Sequence, residues 1–116
     1  MKLAVYGTLR NGNKKTGRVN DTSLVYPGHQ RFPAMMQDYK GKGTVVEVHD
    51  VTSEDLAQYD LYEGVMLGLY SRVKVNVDLD SGKQERVWVY VAGPRLLDMV
   101  DVFEEIPNGD WYDRKV

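Results

Sequence analysis

The chain contains no cysteine. Disulfides, thiolate metal sites and a cysteine nucleophile are therefore excluded. It also lacks an excess of either charge: 15 basic residues stand against 17 acidic ones, for a net charge of −2. That balance gives neither a nucleic-acid footprint nor a polybasic membrane signal. No apolar stretch approaches the roughly 20 residues of a membrane span, and no secretory apolar segment follows Met1. The expectation is a soluble cytoplasmic protein, acting without nucleic acid or membrane, as a monomer or weak homodimer. Histidine is scarce too. His29 and His49 have no carboxylate or second histidine at ligand spacing, so neither a metal nor another cofactor is expected.

At 116 residues the chain is expected to form one domain over residues 1–116. Lys2 to Tyr6 reads as a short buried strand that ends at Gly7. Asn11 to Asp21 is polar and reads as loop, with at most a turn or two of helix. Leu24 to Tyr26 is a short extended run closed by Pro27-Gly28. Arg31 to Tyr39 has no clear period and reads as irregular or weakly extended. Thr44 to His49 is a β-branched strand.

Thr52 then opens the clearest helix, with Glu54 and Asp55 in a first turn where negative charge meets the positive helix end. Gly64 is its natural terminator. Tyr70 to Leu79 alternates Val73, Val75, Val77 and Leu79 at period two, and Asp80-Ser81-Gly82-Lys83 supplies a hairpin turn. On the return strand, Arg86 to Ala92, valines face one way and Trp88 and Tyr90 the other, as in a closed sheet. Leu96 to Phe103 reads as a second short helix, and Asn108-Gly109-Asp110 as a turn that returns Trp111 to the body. The sum is α+β: a small mixed, curled, barrel-like sheet of five or six strands with one or two short helices.

Two places carry chemistry. At Tyr6-Gly7-Thr8-Leu9 a strand stops at glycine, so the following N–H groups are free to point at a ligand. At Glu63 a carboxylate shares a helical stripe with Leu56 and Tyr59, because residues seven apart differ by only about 20° and four apart by about 40°. Leu56 and Tyr59 are the helix's apolar anchors, so Glu63 is expected to face inward. Burial and the negative helix end both raise a carboxylate's pKa, toward the range useful for proton transfer near neutrality. The competing reading is structural: a helix-end glutamate that pairs with Arg72 or Arg86, or extends into solvent. Gly7 likewise has a plain reading as a strand-ending turn. Gly7 and Gly12 have the spacing of a phosphate loop, but Asn13 stands where that motif needs lysine. Asp78 and Asp80 fall on the hairpin and lack the acid at position twelve that a calcium loop requires.

With these residues assembled, the chain resembles the gamma-glutamylcyclotransferase-like family, in particular its short gamma-glutamylamine cyclotransferase branch. The resemblance rests on Tyr6-Gly7-Thr8-Leu9-Arg10, on Tyr62-Glu63-Gly64 and on Tyr70-Ser71-Arg72, in that order, and on the ending Gly109-Asp110-Trp111. It covers essentially the whole chain. It implies a small mixed barrel and conversion of a gamma-glutamyl amide to 5-oxoproline and a free amine, a lyase-type intramolecular acyl transfer. By the same resemblance Glu63 is the general base and acid, and Tyr6, Gly7, Thr8 and Leu9 form the substrate-binding loop. Tyr70 is a further candidate for the pocket wall, with Tyr90 beside it. The loop N–H groups would hold either the substrate carboxylate or the carbonyl oxygen. Residues 11–37, which would shape the leaving-group side, carry no matching motif. A peptide, a polyamine, a lysine side chain and a natural-product intermediate all remain open as the amine. The alternative on the same fold is a non-catalytic module that senses a small carboxylate, and a third reading is an interaction protein with a vestigial pocket.

Overall fold

The computed structural model describes residues 1–114. Five strands close a barrel: β1 (Lys2–Val5), β2 (Thr16–Val19), β5 (Thr44–Asp50), β6 (Tyr70–Leu79) and β7 (Gln84–Ala92), in the order β1-β5-β2-β6-β7. Four of the pairings are antiparallel. The fifth, between β1 and β7 at Leu3 and Trp88, is parallel and closes the barrel, which makes the sheet mixed as expected. A second sheet of β3 (Thr22–Pro27), β4 (Ala34–Gln37) and β8 (Phe103–Glu105), in the order β4-β3-β8, lies beside it.

The alternating valines explain the barrel interior. Val46, Val77 and Val89 are fully buried, each from a different strand, and a side chain of that size contributes roughly 1.5–3 kcal/mol on burial. On the outer face of β7, Trp88 lies under the Arg72 guanidinium and the Lys74 ammonium at 4.4 and 5.1 Å. Trp111 is buried edge-on to Tyr26, with ring centroids 5.7 Å apart, so the tail returns to the body.

Helix α1 (Ser53–Tyr62) begins at Thr52 as its sequence indicates. The Thr52 hydroxyl accepts from the Asp55 N–H at 3.1 Å, and the Asp55 carboxylate accepts from the Thr52 N–H at 2.9 Å, a reciprocal cap. It ends at Glu63, because Gly64 adopts φ +64° and ψ +38°, the left-handed region glycine enters freely. The hairpin joining β6 and β7 turns at Gly82, whose N–H donates to the Leu79 carbonyl at 2.9 Å.

Three expectations need correction. The polar stretch Asn11 to Asp21 contains β2, a full barrel strand. Gly17 there has no room for a Cβ, which would sit 2.5 Å from the Asp78 carbonyl oxygen, so the residue that made the segment read as loop is the one that lets β2 lie against β6. Arg31 to Tyr39 contains β4, whose extended form comes from pairing with β3. The segment from Leu96 is helical only as α2 (Pro94–Met99); Met99 is exposed, and Phe103 instead begins β8 on β3. Among the described residues the strands number eight, and not five or six, for the same reason: short strands gain their form from partners, not from their own period.

Candidate active site

A cavity of about 290 Å³ opens where β1 ends and α1 ends. Tyr6, Gly7, Thr8, Leu9, Glu63 and Tyr70 all line it, so residues from three separate stretches of the chain meet at one place. Tyr90 also lines it, together with Phe32 and Pro33 from the segment that read as irregular.

Glu63 is half-buried, and burial raises its carboxyl pKa above the ordinary glutamate value. Among the described residues no cation and no hydrogen-bond donor reaches that carboxylate. The two arginines that a structural role would use are engaged elsewhere. Arg72 donates to Asp60 through Nε at 2.8 Å and through Nη2 at 3.0 Å. Arg86 donates to the Asn76 side-chain oxygen at 3.3 Å. The Glu63 backbone is held at the helix end by its N–H, which donates to the Tyr59 carbonyl at 2.8 Å.

Three tyrosines wall the carboxylate, and each spends its hydroxyl on the protein. Tyr6 donates to the Tyr90 carbonyl at 2.7 Å, Tyr70 to the Pro33 carbonyl at 3.0 Å, and Tyr90 to Asp60 Oδ1 at 2.6 Å. Burial pushes all three phenols up, and the negative charge of Glu63 adds to the effect, so they remain neutral. The wall around Glu63 is thus aromatic and carries no competing charge.

The loop after β1 presents a different chemistry. The N–H groups of Gly7, Thr8 and Leu9 donate to no acceptor among the described residues. The turn is closed by the Arg10 N–H, which donates to the Gly7 carbonyl at 3.0 Å. A Cβ on Gly7 would come within 2.7 Å of the Pro33 ring, so glycine here serves a close approach between the loop and the cavity wall.

Glu47, which sequence reasoning did not single out, anchors this loop from inside. It is 1% exposed on β5. Its carboxylate accepts from the N–H groups of Asn11 at 2.9 Å and Asn13 at 3.2 Å, from Arg10 Nε at 3.1 Å, and from the Tyr112 hydroxyl at 3.2 Å. Burial opposes its ionisation, but these donors outweigh that and hold its pKa at about 2. Arg10 in turn donates to Asp110 at 2.7 Å and lies 3.7 Å over the Tyr112 ring. The available signal was a glutamate inside a β-branched run; read alone, it passes for a solvent-facing residue.

The Glu47 carboxylate also lies 3.4 Å from the His49 ring, which corrects the expectation that His49 has no carboxylate beside it. Among the described residues, no group of three or more histidine, aspartate or glutamate side chains is arranged to hold a metal ion. No described helix is long and apolar enough to cross a membrane.

Comparison with known proteins adds an independent line. The model of a family described as "Gamma-glutamyl cyclotransferase, AIG2-like" matches residues 3–113. A protein of Methanocaldococcus jannaschii named "Putative gamma-glutamylcyclotransferase" is 32% identical over 98 residues, covering 74% of this chain and 79% of its own. An AIG2-like protein from Mus musculus has a TM-score of 0.69 at 21% identity, covering 94% of this chain and 92% of its own. An uncharacterised protein from Pyrococcus horikoshii gives 0.67 at 20%, covering 96% and 89%. At those identities the structural likeness is one of fold.

Proposed function

The chain belongs to the gamma-glutamyl cyclotransferase, AIG2-like family, and on that premise we propose that it converts a gamma-glutamyl amide to 5-oxoproline and a free amine with Glu63 as proton carrier. Membership makes it an enzyme of the cyclotransferase type. The observation that carries the finer reading is Glu63: a half-buried carboxylate with no partner among the described residues and a raised pKa, inside a cavity walled by neutral tyrosines.

The chemistry needs little more. The substrate's α-ammonium loses a proton to Glu63, and the freed amine attacks the γ-carbonyl carbon. A carbon–nitrogen bond forms, the carbonyl oxygen takes the negative charge, and the new ring nitrogen sheds a second proton to solvent, since Glu63 already holds the first. As the oxyanion collapses, the bond to the leaving nitrogen breaks. Glu63 returns its proton to that nitrogen, which departs as an amine and takes a further proton from solvent. One group therefore acts as base and then as acid, which suits a carboxylate with its pKa raised toward the working pH. The free N–H groups of Gly7, Thr8 and Leu9 are donors for the substrate's carboxylate or its developing oxyanion. The raised phenol pKa values of Tyr6 and Tyr70 keep that wall neutral, so it adds no negative charge beside the anion.

The test is mass spectrometry of the protein with a panel of gamma-glutamyl amides, beside Glu63→Gln. Release of 5-oxoproline that falls by roughly 10²–10⁴-fold in the variant supports the role. Full activity in Glu63→Gln would remove it.

A further inference from the structure

Leu9, Phe32 and Tyr62 line the cavity and are also 43%, 41% and 82% exposed, so they form its mouth. Phe32 is held in place against the wall, its ring centroid 6.4 Å from that of Tyr70. Three large apolar side chains left in water around one opening are a surface to be covered by whatever extends out of it. Charge gives the second half of the argument. Among the described residues lining the cavity, Glu63 is the one with a formal charge, and no lysine, arginine or histidine is present. A leaving amine that carries a carboxylate would meet no counter-charge there. One that carries a second ammonium would find only Glu63, which the reaction requires at the departing nitrogen.

Resting on the cyclotransferase reading, we infer that the leaving group is a neutral, apolar amine whose alkyl or aryl substituent lies against Leu9, Phe32 and Tyr62. Covering those side chains removes apolar surface from both partners, and the gain grows with the substituent's length. Tyr62 and Phe32 also supply aromatic rings that an aryl group can stack on or meet edge-on.

The experiment measures kcat/KM for 5-oxoproline release from the gamma-glutamyl methylamide, n-butylamide and phenethylamide, beside gamma-glutamyl-1,4-diaminobutane and gamma-glutamylglycine. The expected result is a rise of about fourfold per buried methylene, with the n-butylamide and phenethylamide at least about tenfold above both charged conjugates. Phe32→Ser and Tyr62→Ser are expected to flatten the rise with chain length. Release from every conjugate with equal efficiency, or with preference for a charged one, leaves the reaction standing and overturns the apolar subsite. A slope unchanged in both variants overturns it as well. No 5-oxoproline from any conjugate overturns the reaction and the subsite together.

Discussion

Asp60 on α1 and Glu63 at its C-terminal cap stand about one helical turn apart, yet Asp60 is saturated with partners and Glu63 has none among the described residues. Asp60 accepts from Arg72 through both oxygens, at 2.8 and 3.0 Å, and from the Tyr90 hydroxyl at 2.6 Å. The Arg72 ion pair and Tyr90, working against burial, hold the Asp60 pKa below the ordinary aspartate value. Glu63 moves the other way through burial alone. The Arg72 guanidinium is committed to Asp60, and burial is the cause of the Glu63 shift. Two carboxylates three residues apart are thereby shifted in opposite directions.

As a desolvated carboxylate, Glu63 should cost stability at neutral pH. Its folded pKa is raised, so its contribution is fully present below the unfolded value and is lost as pH rises through the folded one. Glu63→Gln is therefore expected to raise Tm at pH 7 and to lose that advantage at pH 4. Calorimetry at the two pH values checks the sign. An equal or lower Tm at neutral pH would show that the carboxylate is not desolvated. In the unmodified enzyme, kcat/KM should fall on the acid side with an apparent pKa above 4.5.

Glu47 is expected to behave in the opposite sense. Its folded pKa is depressed to about 2, so its stabilisation is present above the unfolded value and is lost as pH falls through the folded one. Glu47→Ala leaves Arg10 and the N–H groups of Asn11 and Asn13 without their acceptor. Breaking such a buried pair typically costs about 3–5 kcal/mol. Urea unfolding measures it, and a loss below about 1 kcal/mol would mean that the loop finds other partners.

Gly7→Ala places a methyl group 2.7 Å from the Pro33 ring. Overpacking of this kind costs about 1–3 kcal/mol, and relief requires the loop to withdraw from the cavity wall. The variant is expected to bind 5-oxoproline more weakly than its loss of Tm alone explains. Titration calorimetry with unaltered affinity would count against the loop as a ligand cradle.

Tyr90→Phe removes the hydroxyl that donates to Asp60 and keeps the ring in the cavity wall. A hydrogen bond to a charged group contributes about 1.5–3 kcal/mol. The Arg72 pair is retained, so the loss is expected near the lower end of that range. Chemical denaturation checks it. No change would mean that Arg72 satisfies Asp60 unaided.

Much of this arrangement was legible in the sequence because its causes are local. Thr52 with Asp55 caps α1, Gly64 stops it, and the alternating valines of residues 70–79 make a strand with one buried face whatever lies beyond it. The stripe of Leu56, Tyr59 and Glu63 follows from helical geometry. The Tyr6-Gly7-Thr8-Leu9 motif, the glutamate and the following strand were enough to indicate the family. Strands β2 and β4 were not legible, since Thr16-Gly17-Arg18-Val19 and Ala34-Met35-Met36-Gln37 take extended form from neighbours distant in the chain.

The sequence by itself therefore determined the helix that carries Glu63, the strand that ends at Gly7, and the absence of any cysteine chemistry. Tertiary structure decided which charges meet. Glu47 became a buried anchor because Arg10, Asn11 and Asn13 converge on it from across the chain. Phe32 reached the cavity mouth from a segment without a period of its own. Arg72, an arginine that the sequence offered to Glu63, went to Asp60 instead. Local backbone preference sets helices and turns over a few residues, whereas burial and charge pairing depend on groups that only the closed barrel brings within reach.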